Sequence, residues 1–252
     1  MTGKLRMEEL KELQSKLERA FTDRLVSMIL YGSGATAHGA ASEHDSHFSD
    51  WNVLCVLKEI TPRELAEGEP AMKWWRELGN PAPLLMTEDE VHQSADCFPI
   101  EFRDMKERRR VLLGLDVIAN VRVDARNYRT QLEHDLRSKL LRLRQHAARV
   151  LPDPAALLAL CVESVSTFCL LGKHALTAAG QTPKGGRRSV VHELQHTLHC
   201  DMSPFQTLLD IREDRSGAGH VQDTGDPGEL FAQYLVCINE LVAFVDRMEA
   251  NA

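Results

Sequence analysis

Two short apolar runs, RLVSMILY at residues 24–31 and WNVLCVL at residues 51–57, enclose the segment GSGATAHGAASEHDSHFSD. Both runs are β-prone and apolar at successive positions in their centres, the pattern of strands covered on both faces. A sheet of that kind needs a helical layer on each side. Between the runs sit a Gly-Ser turn and then Asp50-Trp51-Asn52. In a strand, positions 50 and 52 point to one face and position 51 to the other.

The flanking segments read as the required helices. Leu5, Leu10, Leu13, Leu17 and Phe21 form one apolar stripe among charges, predicting an amphipathic opening helix. Thr61, Pro62 and Glu64 supply an N-cap, a first-turn proline and a capping-box acid for a helix over 61–79, with an interruption expected near Gly68 and Pro70. The run PLLM (83–86), the capped TEDEVHQSAD (87–96) and CFPIEF (97–102) read as strand, helix, strand. The fold class is therefore α/β (α+β): a mixed sheet flanked by helices, followed by a C-terminal helical bundle.

From Arg126 to Val150 one long helix is expected, with Leu132, Leu136, Leu140, Leu143 and Ala147 inward. Pro152 and Pro154 end it and start the next. Further helices are expected at about 155–179, 187–200, 203–213 and 227–250. The domain division is drawn as 1–124 and 125–252, with the long helix possible as a shared element. Trp74 and Trp75 read as packing residues, and some apolar bundle surface would suit a homodimer.

Net charge is -7 over 252 residues, which argues against generic nucleic-acid binding, since that rests on excess Lys and Arg. The charged amino terminus has no signal-peptide core. No apolar run is read as a membrane span, so a cytoplasmic location without membrane association is expected. Six cysteines without a CxxC pair read as buried apolar residues, not as a disulfide frame or zinc cage.

The chemistry concentrates between the first two strands. Gly32 and Ser33, directly after a strand, offer backbone N–H groups that an anion can approach closely. Asp50 and Asn52 offer oxygen ligands of the kind Mg²⁺ takes together with substrate phosphates. Glu101, read as a strand acid between Ile100 and Phe102, is costly to bury unless a cation or donors meet it. If these acids and Asn52 converge, they form the cluster that metal-assisted phosphoryl or nucleotidyl transfer uses. The plainer alternative is a tight turn, a surface Asp and a half-buried Glu. On the long helix, Lys139 and Arg142, three apart, are the best phosphate-binding pair; Arg137 and Arg144 are further candidates.

The frame YGSGA, then SDWNVLCVL, with FPIEFRDMKERRRVLLG downstream, resembles the DNA polymerase β-like nucleotidyltransferases, in particular their bacterial minimal and aminoglycoside-type branch. The resemblance covers roughly residues 20–150. It implies that Gly32 and Ser33 hold a nucleotide triphosphate, that Asp50 and Asn52 bind Mg²⁺ or Mn²⁺, and that Glu101 binds metal or serves as general base. A nucleoside monophosphate would pass from an NTP, with ATP favoured, to an unspecified hydroxyl acceptor. Position 52 carries Asn where the family has a second acid, which weakens divalent binding. The alternative is thus a weakly active or inactive nucleotide-binding regulator, antitoxin-like in kind.

Other motifs compete. His192-Glu193-x-x-His196, with His199 one turn on, has the spacing of a zinc hydrolase. Arg215-x4-His220 resembles the Arg-x4-6-His motif of HEPN ribonucleases, though in a Gly-rich setting. His38, His44 and His47 form a loop cluster that reads as solvated histidines.

Overall fold

In the computed structural model, residues 2–36, 51–215 and 225–248 are described. Asp50, the loop histidines His38, His44 and His47, and His220 lie outside them. The chain divides into two compact units, Met1–Asp124 and Ala125–Ala252.

The first unit is built on a four-stranded mixed sheet. Its elements are α1 (Thr2–Phe21), β1 (Leu25–Tyr31), β2 (Asn52–Leu57), α2 (Pro62–Glu77), β3 (Leu84–Thr87), α3 (Glu88–Gln93), α4 (Pro99–Glu107) and β4 (Arg109–Gly114). Strand order is β3-β2-β1-β4. β1 runs antiparallel to β2 and β4, and β2 runs parallel to β3.

Period-two alternation separates two cores. Met28, Leu30, Val53, Cys55 and Leu57 join Leu10, Leu13, Leu17 and Phe21 of α1 and Ala71 and Trp75 of α2. Ile29, Leu54 and Val56 join Val91 of α3 and Phe102 and Met105 of α4 on the opposite face. Trp51 packs into the first core, Trp75 is buried there, and Lys16 lies over the Trp74 ring at 4.9 Å.

Two expectations are corrected here. CFPIEF is no strand: α4 begins at Pro99, with Pro99, Ile100, Phe102 and Met105 buried. Proline at the first helical position loses no hydrogen bond and presets φ, so the short apolar run resolves as helix. The fourth strand is instead RRVLLG, an edge strand whose arginines mask its apolar run in the sequence. Nor is α2 interrupted. Its capping box forms as expected, Pro70 sits inside the helix, and Gly68 admits the Phe21 ring, whose Cζ would be 2.6 Å from an added Cβ.

Gly114 closes β4 at φ +73, where an added Cβ would stand 2.0 Å from the Val26 carbonyl oxygen. Beside it, the buried Ser27 hydroxyl donates to the Leu115 carbonyl at 2.6 Å. Gly114→Ala should destabilise the protein by about 2 kcal/mol or more, through left-handed strain and displacement of the β1–β4 pairing. Chemical denaturation against the parent chain measures it.

The second unit is helical: α5 (Ala125–Val150), α6 (Pro154–Ala178), α7 (Arg187–Leu198), α8 (Ser203–Arg215) and α9 (Pro227–Arg247). Leu132, Leu136, Leu140, Leu143 and Ala147 of α5 are buried. In the core, Tyr234 of α9 meets the rings of Phe168 and Phe205 edge-on and shares a 3.1 Å hydrogen bond with Ser164. Contrary to the reading of the sequence, α6 and α9 are long and apolar enough, by length and composition, to cross a membrane. Much of that apolar surface lies within the bundle, including Cys161, Val165 and Phe168 of α6 and Cys237, Ile238 and Leu241 of α9. All six cysteines are free thiols, and Cys55, Cys161, Cys169 and Cys237 are buried. Burial pushes the Cys55 thiol up to about 12.

Candidate active site

The end of β1 sets the geometry. Tyr31, its last residue, pairs with Asn52 on β2 and with Arg109 on β4. Gly32 then takes φ +75 and opens the 3₁₀ turn Gly32–Thr36, which contains Ser33. Only glycine adopts that angle without strain. An added Cβ would stand 3.3 Å from the Asn52 amide nitrogen, so the missing side chain also leaves room for Asn52.

One detail departs from the expected phosphate cradle. The Gly32 N–H donates to the Arg108 carbonyl at 3.0 Å. That group is therefore committed to the sheet, and an anion here would have to use later amides of the turn.

Asn52 is half-buried. By strand parity it shares a face with Leu54 and Val56, whose core includes Phe102 and Met105 of α4. Glu101 lies in the first turn of that same helix and is exposed. The expectation of a strand acid, costly to bury, is thus corrected: the helix turns Ile100 and Phe102 inward and leaves the carboxylate outside.

Glu101 nevertheless belongs to this end of the sheet. The Tyr31 phenol is held above its ordinary range, first by burial and then by the negative charge of Glu101. Tyr31 thus precedes Gly32 in the chain, pairs with Asn52 across the sheet and lies within electrostatic reach of Glu101. Asp50 lies outside the described residues, and of Ser33 only the backbone turn is described.

Tyr31 and the arginines opening β4 were missed by sequence reasoning. Arg109 is tied to Asp116, its Nε 2.9 Å from Oδ1, and its Nη1 donates to the Lys106 carbonyl at 2.6 Å. Arg108 makes no side-chain hydrogen bond or ion pair among the described residues. The run ERRRVLLG carried the signal, as basic residues entering an apolar strand beside the Gly-Ser turn.

Within the second unit, Lys139 and Arg142 line one hollow of about 140 Å³ with Leu143, His146, Leu160, Ser164, Thr167 and Phe168. Arg137 and Arg144 are engaged elsewhere: Arg137 donates to Asp246 at 3.0 Å and Arg144 to Asn239 at 2.9 Å. Lys139, Arg142 and His146 make no such bonds among the described residues. The cations of Lys139 and Arg142 over an apolar floor can receive a phosphate-bearing group.

Among the described residues the zinc-hydrolase arrangement finds no third ligand. His192 and His196 lie on α7, but the helix stops at Leu198 and His199 takes a left-handed conformation. Among the described residues no group of three or more His, Cys, Asp or Glu side chains is arranged around a metal position. Arg215 ends α8, while His220 is outside the described residues.

No protein-family profile and no curated sequence matches the chain. Among solved structures it is similar to the spectinomycin adenyltransferase AAD(9) from Enterococcus faecialis, solved with ATP and spectinomycin. The TM-score is 0.57 at 12% identity, over 95% of this chain and 99% of that one. At that identity the likeness is one of fold: this chain has an α/β nucleotidyltransferase fold, with a mixed sheet, flanking helices and a C-terminal helical region.

Proposed function

We propose that the chain is a nucleotidyltransferase that moves a nucleoside monophosphate from ATP to a hydroxyl group of a small acceptor. What supports the reading is the glycine turn that ends β1 beside Asn52, with α4, the helix that carries Glu101, packed on the same face of the sheet through Phe102 and Met105. The ATP and spectinomycin bound by the structural neighbour support the two substrate classes.

In the proposed reaction the acceptor oxygen bonds to the α-phosphorus as the bond to the bridging pyrophosphate oxygen breaks. Pyrophosphate leaves, and the hydroxyl proton passes to the Glu101 carboxylate. Lys139 and Arg142 are the phosphate-binding candidates of the second unit's own hollow. The oxygen donors Asp50 and Asn52 fit a hard divalent cation and would hold Mg²⁺ or Mn²⁺, whose charge would offset that of the phosphates; Glu101 would join them where it serves as a ligand instead of as the base.

The test is incubation with α-labelled ATP, Mg²⁺ and hydroxyl-bearing acceptors, spectinomycin among them. Label should move to the acceptor in the parent chain, and Asn52→Asp, by restoring a carboxylate, should lower the Mg²⁺ concentration needed. The amide at 52 also supports a second reading, a nucleotide binder without turnover. Thermal stabilisation by ATP, with no label transfer in the parent or in Asn52→Asp, would establish that reading and overturn the first.

A further inference from the structure

The two histidines of α7 stand closer than helical spacing requires. His192 Nε2 lies 3.3 Å from His196 Nε2, with ring centroids 4.6 Å apart and planes inclined at 72°. Two imidazole nitrogens bound to one tetrahedral ion at ordinary bond lengths are separated by about 3.3–3.4 Å. The observed separation, which also suits an N–H···N hydrogen bond between the two rings, therefore matches the spacing of a chelate.

We propose that His192 and His196 form a binding site for a borderline transition-metal cation of the Ni²⁺, Cu²⁺ or Zn²⁺ class, distinct from the hard-cation site proposed above. Three features support it. Both side chains are exposed, so an ion reaches them without any opening of the fold. Val190, Val191 and Leu194 are buried and fix the rotation of α7, so the histidine stripe is held in place before an ion arrives. Neutral imidazole is a preferred ligand of this metal class, whereas Mg²⁺ prefers oxygen.

The neighbouring Glu193 adds no third described ligand: its Oε1 accepts from the Ser189 hydroxyl at 3.4 Å. With no group of three His, Cys, Asp or Glu side chains among the described residues, the remaining coordination positions fall to water or to an exchangeable ligand. The site is thus a two-residue clasp joining successive turns of α7.

Isothermal titration of the full chain with NiCl₂ tests the proposal without any measurement of transferase activity, so its outcome is separate from that of the nucleotidyltransferase reading. His192→Ala and His196→Ala should each weaken nickel binding by at least about tenfold, the loss produced by removing even a supporting group of a metal ligand. Binding should persist in the triple variant His38→Ala, His44→Ala and His47→Ala. In the unmodified chain, Ni²⁺ should broaden the ring resonances of His192 and His196 before those of other histidines. Nickel affinity unchanged in both single variants, or broadening confined to other histidines, would overturn the site.

Discussion

Glu101→Gln should lower nucleotidyl transfer by at least about 10²–10³-fold, the usual scale for losing a general base or a metal-bound carboxylate. The substitution keeps size and hydrogen-bonding capacity but removes the charge and the proton-accepting oxygen. Its structural cost should be small. Glu101 is exposed in the first turn of α4, where a carboxylate contributes up to about 1 kcal/mol through the helix dipole. A loss of that size shifts thermal unfolding by roughly 2–4 °C in a chain of this length.

The pairing of the two measurements decides between a functional and a purely helix-stabilising Glu101. A transfer rate that falls severalfold or less would show that the carboxylate only favours the helix terminus. A large drop in rate beside a small thermal shift supports the reacting role. Asp50→Ala should give a comparable loss if both acids serve one metal. The Tyr31 phenol provides an independent readout, because removing the charge at position 101 removes one of the two causes that hold it above its ordinary range.

Much of this end of the sheet was legible from local chemistry. Strand parity gives the facing of Asn52 opposite Trp51, and the capping residues Thr61 and Glu64 and the prolines at 62 and 154 mark helix starts that the structure contains. The position of Glu101 was not legible from its residues alone. A six-residue apolar run with a proline satisfies strand and helix patterns equally well, and the choice depends on the tertiary layer it joins. β4 was hidden for a related reason. As an edge strand it carries charges that suppress its periodicity, and only its pairing with β1 identifies it. The use of the Gly32 N–H by the Arg108 carbonyl is likewise a long-range bond that no local pattern announces.

Arg24→Met should lower the melting temperature by about 10 °C, because it strips the cation from a carboxylate sealed inside the first unit. Glu64 is buried, and Arg24 binds both Glu64 and Glu67 of α2. The guanidinium also donates to the Phe21 carbonyl at 3.2 Å, so it ties the exit of α1 to α2 just before β1 begins. With methionine at 24, the Thr61 hydroxyl and N–H would still donate to Glu64, but none of its bonded partners among the described residues would carry a positive charge. The double variant Arg24→Met, Glu64→Leu should recover part of the loss, since replacing both members removes the uncompensated group.

The same network fixes a pH dependence. The Thr61 hydroxyl, followed by backbone donors and Arg24, holds the Glu64 carboxyl down at about 2, from an ordinary value of 4.5. A folded-state value below the unfolded one contributes stability that is complete above about pH 4.5 and disappears as pH falls toward about 2. Glu64→Gln should therefore be less stable than the parent at neutral pH, and the gap should close on acidification through that window. Melting curves of the two chains between pH 7 and pH 2 measure it. A gap that stays constant over that range would mean that the carboxylate charge contributes nothing, and that the bonds of Thr61 alone hold the start of α2.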